Sequence, residues 1–337
     1  MLGTLTIVFR TIFRNDLIGG LFFILLSYVP LATGWSPAPG VASLIIGAAF
    51  PLGGLMIGNY ITVKLGGFSL ISRIRHSSQN NQSFTLMALA GGAILQFLIG
   101  DLAGIWYYPQ WSLSTYLLIG FVVGGWVFYF LFLIVCYEAA KLILDKYFLP
   151  KKEVTRYFKH EGLIYKLLLC VGVISLCAIA YQAVVNTDWF TKFHFSVGQA
   201  HHPYITWYMG ALSFVGIVSI CEYVEYKRKR SSLVKDTIHG YLNPLIAGIV
   251  ASLVLAWTYE IQNYGVLLWK YANYPWPDQY VFGVPLFVVL AWPLHVLGLV
   301  VFWRAFGNGS SSVVFANAKS LSKRRQLKRK KLGFNAA

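Results

Sequence analysis

Eight uninterrupted apolar stretches decide what this chain can fold into: residues 16–33, 41–63, 84–107, 115–137, 163–186, 205–226, 243–268 and 279–303. A bilayer core of roughly 30 Å is crossed by about 20 helical residues, and each stretch is near that length. Their interiors run through Leu, Ile, Val, Phe, Ala and Gly, too long and too uniform for buried strands or for the core helices of a soluble fold. Lipid satisfies no backbone group, and the alternating ten-residue segments of a β-barrel are absent, so the spans are helical. The expected fold class is therefore all-α, a polytopic integral membrane protein with about eight transmembrane helices. Composition agrees, because only 12% of residues are charged, against about 25% in a soluble domain.

The charges that remain are one-sided. Lys and Arg number 28 against 12 Asp and Glu, a net charge of +16. With the N-terminus in the cytoplasm, every basic residue except Lys192 and Lys270 falls on the cytoplasmic side, as the positive-inside rule requires. Both termini are expected in the cytoplasm and the protein in the cell membrane. The first stretch follows Arg10 and Arg14 like a signal peptide, but its apolar run is long for one and no A-x-A cleavage site follows. It is read as a retained span. The expected organisation is an interfacial amphipathic segment over 1–15, four-helix halves over 16–150 and 151–304, and a basic disordered tail over 305–337. The tail, with Lys323, Arg324, Arg325 and Lys328 to Lys331, is drawn to anionic inner-leaflet lipid as well as marking topology. No RNA-binding module accompanies it, so nucleic acid is not expected as a partner.

Cofactor chemistry finds no motif. There is no phosphate loop, no Asp-rich magnesium motif, no HExxH and no serine elbow. Cys136, Cys170, Cys177 and Cys221 all lie inside spans without CxxC spacing. His194, His201 and His202 share one external loop, but their spacing fits no ligand set. No metal and no cofactor are expected.

The chain repeats itself. Aligned without gaps at an offset of 163, residues 45–130 match 208–293 at fifteen of eighty-six positions, including Gly53/Gly216, Tyr60/Tyr223, Trp106/Trp269 and Tyr108/Tyr271. Each half holds an even number of spans, so the repeat is parallel, related by an axis along the membrane normal.

Carboxylates within spans are costly and so mark function. Asp101 in the third span and Glu260 in the seventh each lie about seventeen residues from the inner end, ~25 Å at 1.5 Å per residue. The repeat predicts that they share a cavity, with Trp106, Tyr108, Trp257, Trp269 and Tyr271 lining it as substrate-binding aromatics. Glu222 in the sixth span and His295 in the eighth are expected at one inner depth, as a proton-exchanging pair. Pro51, Pro285 and Pro293 are expected to kink spans, and Gly120, Gly124 and Gly125 to let helices approach.

Glu260, Gly265, Trp269 and Tyr271, then Gly283-Val284-Pro285-Leu286 and Leu290-Ala291-Trp292, resemble the terminal motif of membrane carotenoid-biosynthesis proteins. These are the bacterioruberin-type carotenoid hydratases and the related lycopene cyclase domains. The resemblance covers about 35 residues, and the paired acids of the cyclase-type Pro-Leu-Glu-Glu are replaced here by Phe287 and Val288. It implies that Glu260 protonates an isoprenoid double bond, followed by hydration or cyclisation. Asp101 through Gly120 is similar to a degenerate copy. The readings to be weighed are thus an isoprenoid-lipid enzyme with Glu260, Asp101, Glu222 and His295 as catalytic candidates, a transporter or channel with a carboxylate-lined path, and a non-catalytic subunit of a membrane complex.

Overall fold

The computed structural model describes residues 15–33, 48–67, 78–118, 125–148, 160–185, 193–200, 203–228, 230, 232–266 and 268–306. The helices in chain order are α1 Asp16–Thr33, α2 Phe50–Lys64, α3 Ser78–Leu95, α4 Leu113–Leu117, α5 Gly125–Ile143, α6 Glu161–Val185, α7 Trp207–Lys227, α8 Leu233–Ile238, α9 Asn243–Val266 and α10 Leu286–Phe306. Wider π-helical turns extend α3 through Gln96–Leu102 and α5 through Leu144–Phe148. Four two-residue strands, β1 Trp106–Tyr107, β2 Lys270–Tyr271, β3 Tyr280–Val281 and β4 Val284–Pro285, sit in the connections. The chain is mostly helical, and among the described residues five helices are long and apolar enough to cross a membrane: Val127–Phe148, Glu161–Val185, Trp207–Lys227, Asn243–Ile261 and Leu286–Phe306. The apolar helices Asp16–Val29 and Ala88–Leu102 are shorter, and α2 has 15 residues. The N-terminal segment before Asn15, the tail beyond Phe306, His201, His202, Gly120 and Gly124 lie outside the described residues.

Helices meet where glycine removes a side chain. At the α1–α2 crossing a Cβ on Gly53 would stand 2.7 Å from the Gly20 carbonyl, and at the α6–α7 crossing one on Gly172 would stand 3.0 Å from that of Gly216. Backbones this close allow the dispersion contacts that drive association in lipid. From these pairs the packing continues α2 on α5 and α7 on α10, then α3 on α5 and α9 on α10, with α5 against α9 and α3 against α10. The main core lies among α2, α3, α5, α9 and α10, around Phe130, Leu133, Leu255, Val296 and Trp303.

The helix of the last apolar stretch, α10, begins at Leu286 rather than 279, because Val281 and Val284 pair across a two-residue turn. Both turn residues have positive φ, Phe282 at 51° and Gly283 at 82°. This is the hairpin turn whose twist matches the strands, and it favours glycine. Pro285 therefore ends a strand instead of kinking a helix. Pro51 lies where α2 follows the π-helical turn at 48–49, and Pro293 lies inside α10. Gly283→Val is expected to destabilise the hairpin by about 1–3 kcal/mol through left-handed strain, read as a lower midpoint of thermal unfolding in detergent.

Candidate functional site

Glu260 sits in the last two turns of α9 and is 5% exposed. Three residues on, the Asn263 side chain accepts from the Trp269 N–H at 2.9 Å and donates to its carbonyl at 3.0 Å. This clamp folds the chain back over the helix end. It brings Tyr271 above Glu260, where the phenol donates to Oε1 of the carboxylate, while the Trp269 indole donates to the Tyr271 oxygen at 3.0 Å. Burial, reinforced by the carboxylate beside it, holds the Tyr271 phenol well above its ordinary pKa, so it keeps its proton and donates a hydrogen bond to the acid.

Beneath this acid lies an aromatic box drawn from α5, α9 and α10. Trp292 is stacked between His295, at 5.3 Å and 9°, and Tyr259, at 6.0 Å and 19°. Tyr129 meets Tyr259 edge-on at 5.3 Å, and its hydroxyl bonds His295 Nε2 at 3.0 Å. Electron-rich ring faces placed beside a proton donor are suited to holding a cation that forms on protonation.

The other predicted residues distribute differently. Trp106 and Tyr108 do not join Glu260. Both donate to Gln96 Oε1, at 2.9 and 3.1 Å. Strand β1, which holds Trp106, pairs antiparallel with β2, Trp106 opposite Tyr271 and Tyr107 opposite Lys270, while Tyr108 bridges to Val197. Asp101, expected to share a cavity with Glu260, has other partners: Tyr116 donates to it at 2.8 Å and the Ser196 N–H at 2.8 Å. Ser196 in turn donates to the Gly100 carbonyl at 2.6 Å. Asp101 thus latches the segment after α6 onto the end of α3. Trp257 lies against Phe282, at 5.3 Å and edge-on.

Glu222 and His295 do not form the expected pair. Because α10 starts seven residues later than the sequence reading placed it, His295 lies only nine residues from that end, ~14 Å, whereas Glu222 lies fifteen residues from the same end of α7, ~22 Å. Glu222 instead accepts the Leu233 and Val234 N–H groups, each at 3.0 Å. These are orphan donors of the first turn of α8, and a carboxylate is their natural acceptor. Nearby Arg304, 1% exposed, reaches Glu225 at 3.3 Å and Asp236 at 3.8 Å.

Sequence reasoning did not single out Tyr129, Gln96, Asn263 or Trp292 as site residues. One of them, Gln96, has a sequence signal: a Trp-x-Tyr triplet follows it at 106–108, as another follows Glu260 at 269–271. Among the described residues no three His, Cys, Asp or Glu side chains come together to hold a metal, and no cysteine is in a disulfide. Comparisons with protein families, with characterised proteins and with solved structures give no match.

Proposed function

We propose that the chain is an integral membrane enzyme of isoprenoid or carotenoid lipid metabolism, in which Glu260 delivers the proton that starts hydration or cyclisation of a double bond. The observation that carries this reading is the buried Glu260 carboxyl, hydrogen-bonded by Tyr271 and bordered by the Tyr129, Tyr259, Trp292 and His295 rings. Aromatic faces stabilise the cation that protonation of a double bond produces. The resemblance of 260–292 to carotenoid hydratases and cyclase domains agrees with it. A transporter path is less favoured, since Asp101 and Glu222 are both engaged by backbone N–H groups.

The same reading takes α1, α2, α3, α5, α6, α7, α9 and α10 as eight spans of the cell membrane, with both termini cytoplasmic and the β1–β2 ribbon outside. It keeps the parallel repeat with a corrected register. At the original offset, buried Phe50, Gly53, Met56, Asn59 and Thr62 of α2 fall on buried Ser213, Gly216, Ser219, Glu222 and Glu225 of α7. The α3–α9 match is one residue longer, placing Ala88, Leu95 and Gln96 on Ser252, Tyr259 and Glu260, all buried. The π-helical Gln96–Leu102 absorbs that extra residue. For α5 and α10 the offset is three longer still than the original, placing Phe130, Leu133, Tyr137 and Glu138 on Val296, Leu299, Trp303 and Arg304. Tyr107 then faces its own counterpart Lys270, and Tyr129 bonds its own counterpart His295, as residues beside a twofold axis do. The counterpart of Glu260 is Gln96, so one half carries the acid and the other an amide.

The test is expression of the chain in cells that make an acyclic carotenoid, followed by chromatography of the membrane pigments. A new hydrated or cyclised pigment is expected. Unchanged pigments in membranes that contain the protein would overturn the proposal.

A further inference from the structure

The connection between α9 and α10 concentrates backbone strain. Among the described residues the three non-glycine residues with positive φ are Asn273, Trp276 and Phe282, at 54°, 57° and 51°, all in this connection. A bulky residue in that region is a genuine outlier, and the first turn position of the β3–β4 hairpin would be unstrained with Asn or Gly. The chain keeps Phe282 there and leaves it 89% exposed. Trp276 and Tyr280 are exposed in the same connection, so strained backbone and uncovered rings fall together. With so little of Phe282 covered by the chain, packing does not account for it, and strained positions of this kind cluster where a side chain meets a ligand.

The hairpin is polar at one end and apolar at the other. Asp278 and Gln279 are exposed at its base, and Phe282 forms its tip. Gln279 and Phe282 are three residues apart, about 10 Å of extended chain. The tip lies against Trp257, with ring centroids 5.3 Å apart. Trp257 is four residues inside Ile261, where the apolar stretch of α9 ends, ~6 Å by helix rise. Val254 and Ile261 share a face of α9 with Trp257 by their i, i+3, i+7 spacing, and both are exposed, as residues that meet lipid are. The hairpin backbone is paired, Val281 with Val284 and Tyr280 with Pro285, and the Leu286 N–H donates to the Gln279 carbonyl at 2.8 Å. Pairing of this kind is what backbone entering lipid requires.

We infer that the β3–β4 hairpin is seated in the outer leaflet, with Phe282 at the boundary of headgroups and acyl chains, Trp276 and Tyr280 at headgroup level and Asp278 in water. Its partner is the phospholipid of the same bilayer, because the lipid-facing surface of α9 continues onto the tip. Trp and Tyr settle at that level since their rings are apolar at one end and polar at the other. The inference rests on the membrane orientation proposed above and not on the proposed chemistry.

The exposed cysteines Cys170 and Cys177 are replaced by alanine, a nitroxide is attached at Phe282→Cys or at Asp278→Cys, and the full chain is reconstituted in phosphatidylcholine vesicles. Collision with a water-soluble nickel chelate is expected to be roughly tenfold lower at 282 than at 278, because a group at the headgroup–acyl boundary is withdrawn from water. Equal collision at the two positions would overturn the seat and leave the tip as a surface for a soluble partner. If Phe282→Cys does not fold, hydroxyl-radical footprinting of the unaltered chain answers the same question. Phe282 is expected to escape oxidation in vesicles despite its exposure, and oxidation as strong as in the urea-unfolded chain would overturn the seat. A membrane-impermeant maleimide added to whole cells tests the orientation separately. It is expected to react with Asp278→Cys, and failure to react would overturn the outer leaflet while the nickel comparison still decides the seat.

Discussion

Glu260→Gln abolishes the new pigment while the protein still accumulates in the membrane. Glutamine keeps the shape of the side chain and still accepts the Tyr271 hydroxyl proton, so the anchor of β2 over α9 survives. What it loses is the transferable proton, and removing a general acid costs about 10²–10⁴ in rate. Turnover is measured as product per molecule of folded protein in isolated membranes. A Glu260→Gln variant with turnover within threefold of the parent removes Glu260 from the chemistry. Tyr271→Phe sharpens the result, because it removes the donor to Glu260 and leaves the acid in place.

Arg304→Met lowers stability more than any substitution on the aromatic side. Arg304 and Glu225 are each 1% exposed and 3.3 Å apart, with Asp236 at 3.8 Å. Truncating the arginine leaves the Glu225 charge buried beside Asp236, and breaking a buried pair in this way costs about 3–5 kcal/mol. The loss propagates, because Asp236 belongs to α8, whose first turn Glu222 caps and whose Ser232 cap is held by Tyr165. Thermal unfolding followed by tryptophan fluorescence in detergent is expected to show a midpoint several degrees lower. Adding Glu225→Gln to Arg304→Met restores most of the difference, since the stranded charge is then gone. A single variant that melts with the parent would mean that Arg304 is compensated by water.

How far the sequence carries this description depends on the physics of each part. The long apolar runs transfer directly, because span length and hydropathy are local properties: α6, α7 and α9 lie within a few residues of their expected limits. The start of α10 was not legible from hydropathy, because Val281 and Val284 are as apolar in a hairpin as in a helix. The deciding feature is the positive φ at Phe282 and Gly283. Glu260 was legible as a buried acid with Trp269 and Tyr271 beside it, yet Trp292 and Tyr129 were not, because they come from α10 and α5 and look like ordinary packing aromatics. The unexpected partners of Asp101 and Glu222 have one cause. A carboxylate in an apolar run can serve either a reaction or a stranded backbone N–H, and only tertiary structure shows that Ser196, Leu233 and Val234 supply such groups.

The short β1–β2 ribbon also limits how the molecule can move. It is the place where the chain after α3 is hydrogen-bonded to the chain after α9, and Ala272 N–H extends it by donating to the Ile105 carbonyl at 2.8 Å. Any rocking that preserves these bonds has its pivot at that end of the bundle. Displacement then grows with distance from the pivot and is largest at the opposite end, where Arg304, Glu225 and the Glu222 cap of α8 are buried.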